Sequence, residues 1–134
     1  MNFRPIIFTS SIGNPMSNRK QKIGKWGEEI AVEFLRNKGY QIVEQNRRTP
    51  FGEVDVVAIL EDITVFVEVK TRTNDKYGLP EAGLTRRKLN HMLNCAEHLA
   101  AESNLETWQC DAISVEGTPG SIPHIEHFEN VTYS

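Results

Sequence analysis

Asp55, Glu68 and Lys70 stand in two β-branched runs, EVDVVAIL at 53–60 and ITVFVEVKTR at 63–72. Only Glu61-Asp62 separates the runs, so they are expected to form an antiparallel hairpin. A two-residue loop sets Asp55 opposite Glu68 and Glu53 opposite Lys70. Directly opposed carboxylates, about 5 Å apart at Cβ, repel each other. Glu68 also lies among Val65, Phe66, Val67 and Val69, where an unpaired charge costs several kcal/mol. A divalent cation resolves both problems. Mg²⁺, or Mn²⁺ in its place, takes oxygen ligands and binds through one or two carboxylates plus waters and phosphate oxygens. Lys70, two residues beyond Glu68 on the same face, can orient or deprotonate a water, or neutralise a phosphorane-like transition state. The bland alternative is a salt-bridged ladder, with Glu53–Lys70 and Asp55–Arg72 as ordinary surface pairs. The apolar flanks count against it.

The elements that must position these groups follow the order α-β-β-β-α-β-β. Residues 1–17 hold two prolines and no hydrophobic periodicity and read as a mobile tail. Residues 18–134 form a single domain. Ser17 or Asn18 can cap a first helix that runs to about Lys38 and stops at Gly39. Its apolar stripe is Ile23, Gly27, Ile30, Ala31, Phe34 and Leu35. Glu28 lies about 100° from the centre of that stripe, at the core boundary, while Glu29 points to solvent. If the helix contributes a third acid, it is Glu28; otherwise both acids simply favour the early turns through the dipole. Tyr40-Gln41-Ile42-Val43 starts a strand that fades into Asn46-Arg47-Arg48-Thr49-Pro50, and Pro50 and Gly52 end it. Residues 73–81 read as a loop. Thr85 is a candidate N-cap for a second helix that buries Leu89, Met92, Leu93, Ala96, Leu99 and Ala100. Residues 107–115 and 122–128 read as the last two strands.

The chain has 134 residues, 15 basic and 18 acidic, for a net charge of −3. Residues 1–27 carry five cations and no acid, and residues 89–134 carry seven acids and no Lys or Arg. Such segregation permits a basic face on an acidic protein. Arg86-Arg87-Lys88 sit in the first turn of the second helix, against its dipole, where a bound phosphate would satisfy dipole and cations together. A solvated charge run is the equal alternative. Arg47, Arg48, Arg72 and Lys76 lie at strand ends or loops near the proposed site. Tyr77 could stack on a base, although loop packing explains it as well. No apolar run approaches the roughly 20 residues of a membrane span, and Ile6-Ile7-Phe8 is too short for a signal peptide. The expectation is a cytoplasmic protein without a membrane partner. Cys95 and Cys110 need no disulfide there.

His91, Cys95, His98 and Glu102 fall at helical spacing on one face and could hold zinc. All four come from one helix, so a solvated or subunit-contact face is the better account. His124 and His127 receive no role. Trp26 and Trp108 read as packing anchors.

Lys25-Trp26-Gly27-Glu28, Gly39-Tyr40, Asn46-Arg47, Gly52-Glu53-Val54-Asp55-Val56-Val57-Ala58 and Val65-Phe66-Val67-Glu68-Val69-Lys70-Thr71-Arg72 closely resemble the YraN family. These are small bacterial proteins of poorly characterised function, predicted to be nucleases distantly related to archaeal Holliday junction resolvases. The resemblance covers about Asn18 to Phe128. Asp55, Glu68 and Lys70 look like the PD-(D/E)xK signature of the restriction-endonuclease-like fold, with Val54 in place of its proline. The resemblance implies metal-binding and catalytic roles for these three residues, and makes Glu28 the helix glutamate of the resolvases. It also implies an α/β fold with a mixed central sheet flanked by helices, and suggests a homodimer placing two sites on a branched substrate.

The sequence therefore points to a Mg²⁺- or Mn²⁺-dependent endonuclease acting on nucleic acid, DNA rather than RNA. The first alternative is a non-catalytic nucleic-acid-binding module that keeps the nuclease fold. The second is an interaction protein whose acidic C-terminal third docks a partner.

Overall fold

Helix α1 spans Pro15–Asn37 and begins on a proline, the residue whose missing N–H costs least at a first helical position. Residues 15–17, expected in the tail, are its first turn, so neither Ser17 nor Asn18 is its cap. The computed structural model describes residues 15–73 and 85–131. At the other end, Tyr40 N–H donates to the Leu35 carbonyl and Gly39 N–H to that of Arg36. This pair of bonds needs a left-handed residue, and Gly39 supplies it with φ 96°.

The strands are β1 (Gln41–Thr49), β2 (Gly52–Leu60), β3 (Ile63–Arg72), β4 (Trp108–Glu116) and β5 (His124–Phe128), with α2 (Arg86–Glu102) between β3 and β4. They form one five-stranded sheet in chain order. β3 and β4 are parallel and the other three pairs are antiparallel, so the sheet is mixed. A parallel pair needs a crossover, and α2 provides it. The fold is thus α/β in the anticipated order.

β1 does not fade at Asn46. Its second half pairs with Gly52–Val54 through a tight turn at Pro50-Phe51. Thr49 Oγ1 accepts Phe51 N–H at 3.0 Å and donates to the Gly52 carbonyl at 2.8 Å. The β2–β3 turn is the two-residue loop read from the sequence. Glu61 (φ 47°) and Asp62 (φ 73°) are both left-handed, the geometry that matches strand twist.

Each face of the sheet carries one helix. α1 packs Ala31, Val32 and Leu35 on Val56, Ala58, Val65, Val67, Ile113 and Val115. α2 packs Met92, Cys95, Ala96 and Leu99 on Val54, Phe66, Cys110 and Ala112. Trp26 lies against the first cluster and Trp108 against the second, as packing anchors.

Gly27 brings α1 close to β3. A Cβ there would lie 2.0 Å from Thr71 Oγ1 and 2.9 Å from its Cβ. Thr85 caps α2, its side chain accepting Lys88 N–H at 3.2 Å. On the face carrying His91, Cys95 and His98, His91 is exposed as expected of a solvated face, but the rest of that face is at least partly covered. It packs on the β1–β2 turn: Cys95 is buried with its Sγ 3.4 Å from Thr49 Oγ1, and the His98 ring meets that of Phe51 edge-on. Among the described residues, no helix is long and apolar enough to cross a membrane.

Asp111, fully buried on β4, joins the residues after α1 to those at the end of β5. It takes hydrogen bonds from Tyr40 OH (3.2 Å), His127 Nε2 (2.7 Å), Gln109 Nε2 (2.9 Å) and Asn130 N–H (2.9 Å). Lys38 Nζ lies 2.8 Å from His127 Nδ1. Burial alone would raise the Asp111 pKa, but the bonds from His127, Asn130 and Gln109 outweigh it and hold the carboxyl below its usual range. His127, given no role by sequence reasoning, is thus a partner in the core.

Candidate functional site

The β2–β3 ladder is paired from Leu60↔Ile63 to Val56↔Val67, the register expected from the two-residue loop, and the strands part beyond it. Asp55 stands where they part. Its Oδ2 accepts Val69 N–H at 2.8 Å, a side-chain bond in the place of a ladder bond. The pleat turns over at the same level. Val54 packs toward α2 and Val56 toward α1, whereas regular alternation puts residues i and i+2 on one face. Across from Asp55 in β1, between the pairs Gln45↔Val56 and Arg47↔Val54, Asn46 is left-handed with φ 53°.

This break gathers acids from three elements. Burial pushes the Asp55 pKa up; Val69 N–H opposes that, and Glu68, Glu28 and Glu53 push further, to about 7. Glu28, half-buried on α1, is also raised by burial and by Glu53, while the neighbouring Asn46 side chain pulls the other way. Glu68 is raised by burial and lowered by Lys88, Lys70 and His91. Glu53 is not laddered with Lys70; its carboxylate lies 3.9 Å from the Arg48 guanidinium.

The basic side of the site comes from β3 and α2. Lys70 lies beside Lys88, and that neighbour, burial and the charge of Arg72 hold its pKa below the usual lysine range against the pull of Glu68. Between β2–β3 and α2 lies a hollow of about 50 Å³ lined by Glu53, Glu68, Lys88, His91, Met92 and Cys95. That is room for an ion or about one water.

Among the described residues, no three His, Cys, Asp or Glu side chains are grouped closely enough to hold a metal by themselves. The donor set still suits a Mg²⁺-type ion. Asp55 and Glu68 are oxygen donors, largely desolvated and mutually repelling, and such an ion takes one or two carboxylates and fills its shell with water.

The remaining sequence candidates are dispersed. Arg47 is held by Glu102 at 2.7 Å and Glu44 at 3.2 Å, beside a larger apolar hollow of about 180 Å³ that contains none of the clustered acids. Arg48 is exposed beside Glu53. Arg72 ends β3, its carbonyl taking Gly117 N–H. Arg86 and Arg87 are exposed in the first turn of α2, next to Lys88. Lys76 and Tyr77 lie outside the described residues. Sequence reasoning missed Asn46 and the approach of Lys88 and His91 to Glu68. Asparagine's tolerance of left-handed backbone was the available signal for the first; the other two depend on how α2 docks.

Fold and site define a class: a two-helix, mixed-sheet α/β protein with a carboxylate and lysine cluster where its central hairpin opens. Residues 27–115 match the uncharacterised protein family UPF0102. A UPF0102 protein of Syntrophotalea carbinolica is 37% identical over 115 residues, 84% of this chain and 93% of that protein. One of Thermus thermophilus is 39% identical over 104 residues, 78% of this chain and 91% of that protein. The chain belongs to the UPF0102 family, the YraN family that its motifs resemble.

Proposed function

We propose that the protein is a metal-dependent endonuclease hydrolysing phosphodiester bonds of nucleic acid, DNA in particular, on a restriction-endonuclease-like fold. One observation carries the reading: Asp55 sits at the opening of the hairpin, desolvated and facing the charges of Glu68, Glu28 and Glu53, with Lys70 on the same strand as Glu68. Like charges kept together in a desolvated place are compensated by protonation or by a bound cation, and a cation is the compensation that would also serve hydrolysis.

In this reading Asp55 and Glu68 hold Mg²⁺ or Mn²⁺, and Glu28 reaches it through water. An ion held by those residues would supply Lewis-acid polarisation of the scissile phosphoryl group and charge to offset what develops there. Lys70, on the same strand as Glu68, orients the attacking water and offsets the charge that develops on the phosphoryl group. Arg86 and Arg87, with Lys88, hold the phosphate backbone at the start of α2. The protein acts in the cytoplasm, and branched DNA is the first substrate to try.

The test incubates wild type and Asp55→Asn with plasmid DNA and a four-way junction in Mg²⁺ or Mn²⁺. Wild type cleaves; chelation stops it, and Asp55→Asn loses at least about 100-fold with an unchanged circular dichroism spectrum. Cleavage retained by Asp55→Asn overturns the assignment. DNA binding that survives chelation, with no cleavage of either substrate, makes the protein a non-catalytic binding module.

A further inference from the structure

Helix α1 reaches past the sheet it packs on. Two contacts hold it near the sheet's end. Gly27 meets Thr71 close to the end of β3, and Trp26 lies 3.4 Å from where a Cβ of Gly117 would stand, just past β4. Nearer the helix start come Arg19, Lys20, Lys22 and Lys25, all exposed, with no acid between them. At 100° per residue, Lys20 falls about 20° from both Gly27 and Ala31, and Arg19 about 20° from Ile30. Gly27 and Ala31 are buried and Ile30 packs on the core. Two cations thus stand on the face that is pressed to the sheet further along, and their exposure marks where the sheet has ended. Lys22 and Lys25 stand on the outer side.

Among the described residues, none of these four cations forms an ion pair. Arg19 and Lys22, and Lys22 and Lys25, are like charges three apart, which weakens a helix. The chain itself offers the arm no return for that cost; an outside anion does. The arm also stands in a particular place. Lys88 and His91 of α2 line one hollow with Glu53 and Glu68, and the other end of α2 lies by Val43, Ile59 and Thr64, at the opposite end of the sheet. Both helices therefore start at the same end of the sheet, one on each face, with the acidic cluster between them. The far end carries Glu61 and Asp62 in its turn, and Glu44 and Glu102 beside it. Along the axis of α1, Lys25 stands about 4–5 Å and Arg19 about 13–14 Å beyond Glu28. A duplex advances about 3.4 Å per phosphate on each strand, so the arm reaches phosphates about one to four steps from the cluster.

We infer that the overhanging start of α1, with Arg19, Lys20, Lys22 and Lys25, is a contact surface for the phosphate backbone of duplex DNA, opposed across the sheet to the basic start of α2. A duplex offers two phosphate strands to two helices on opposite faces. Three of the four cations are lysines, compact charges that neutralise phosphate without reading bases, so the contact is independent of sequence. The inference rests on the nucleic-acid reading proposed above and adds a second half to its grip, one that draws a polyanion across a cluster of acids.

The experiment separates the arm from net charge. One variant combines Arg19→Gln, Lys20→Gln and Lys22→Gln. A control combines Arg36→Glu and Gln41→Glu, exposed positions by the other end of α1, and lowers the net charge equally. Binding to a labelled duplex longer than the arm's reach is followed by fluorescence anisotropy across a salt series, in chelator so that the probe stays whole. The arm variant should bind at least about 10-fold more weakly at low salt and lose about 3 from the salt slope. The loss should be the same on a duplex of unrelated sequence, and the control should keep the wild-type slope. Lys22→Gln alone, on the outer side of the helix, should lose about 1 from the slope with an unchanged unfolding midpoint, which keeps the test intact if the triple variant folds poorly. Wild-type slopes in the arm variants overturn the inference. A control that loses as much overturns it too, because net charge then explains the effect. Duplex binding intact while sedimentation with phosphatidylglycerol vesicles falls gives the arm to an anionic lipid surface instead. A wild type that leaves the anisotropy unmoved at low salt removes the nucleic-acid reading itself, and the arm's role with it.

Discussion

The residue that best exposes the conflict between folding and the proposed function is Asp55. In the metal-free protein its pKa of about 7 exceeds that of an unfolded aspartate. The folded state therefore binds more protons than the unfolded state between about pH 4 and 7, and this group's contribution falls as pH rises through that window. Asp55→Asn still offers an oxygen to Val69 N–H but carries no charge. In chelator it should match wild type near pH 4 and exceed it by on the order of 2 kcal/mol at pH 8, read from denaturant unfolding. Excess Mn²⁺ should raise the wild-type midpoint and leave that of Asp55→Asn unmoved. Asp111 has the opposite sign. Its lowered pKa contributes stability that is full above the normal aspartate range and is lost as pH falls through the folded value. Asp111→Ala strands the donors of Tyr40, His127, Gln109 and Asn130, and should cost about 3–5 kcal/mol in the same assay. Asp55, Glu68 and Lys70 were legible because acids in an apolar β-branched run are anomalous. Asp111 was not, since Tyr40, His127 and Asn130 are distant from it in sequence and only tertiary structure brings them together.

Among the elements, α1 has the tightest constraint. Gly27 faces Thr71 of β3 with no room for a Cβ, and Glu28 is its neighbour. Gly27→Ala should cost about 1–3 kcal/mol, seen as a lower denaturant midpoint, because the helix must move off the sheet. Gly27→Ala with Thr71→Gly should recover part of that loss. Helical spacing and Gly39 foretold the body of α1 and its end, since both follow from local backbone rules. Its start was misplaced because proline at a first position competes with Ser17 and Asn18 as a signal. The hairpin register was legible from the length of its loop. The opening of the ladder and the overturned pleat were not, because alternation in sequence assumes a regular strand. β1 looked as if it faded for a related reason: Asn46-Arg47-Arg48 is poor strand sequence, and pairing with Gly52–Val54 overrides it.

Over the whole molecule, charge is placed against local stability. α2 opens with Arg86, Arg87 and Lys88 and carries Glu97 and Glu102 toward its other end, both contrary to its dipole. The net charge of −3 gives no general attraction to a polyanion, so any nucleic-acid affinity must come from the basic end. Arg86→Ala should weaken DNA binding by fluorescence anisotropy and reduce the salt slope by about 1. Arg47→Ala, whose guanidinium Glu44 and Glu102 already occupy, should change neither. Charge segregation was plain in the sequence; which cations stand beside the acids depended on the docking of α2.

The strand order also sets a course of assembly. β1, β2 and β3 are joined by two-residue turns and pair in chain order, whereas β4 joins β3 only across α2. Contacts between near neighbours in sequence form early, so the three-stranded meander should precede the parallel pair. Asp55, Glu53 and Glu68 all belong to that meander. Their repulsion therefore burdens the folding barrier itself, and a divalent cation should speed refolding as well as slow unfolding, a shift readable in both arms of a stopped-flow chevron.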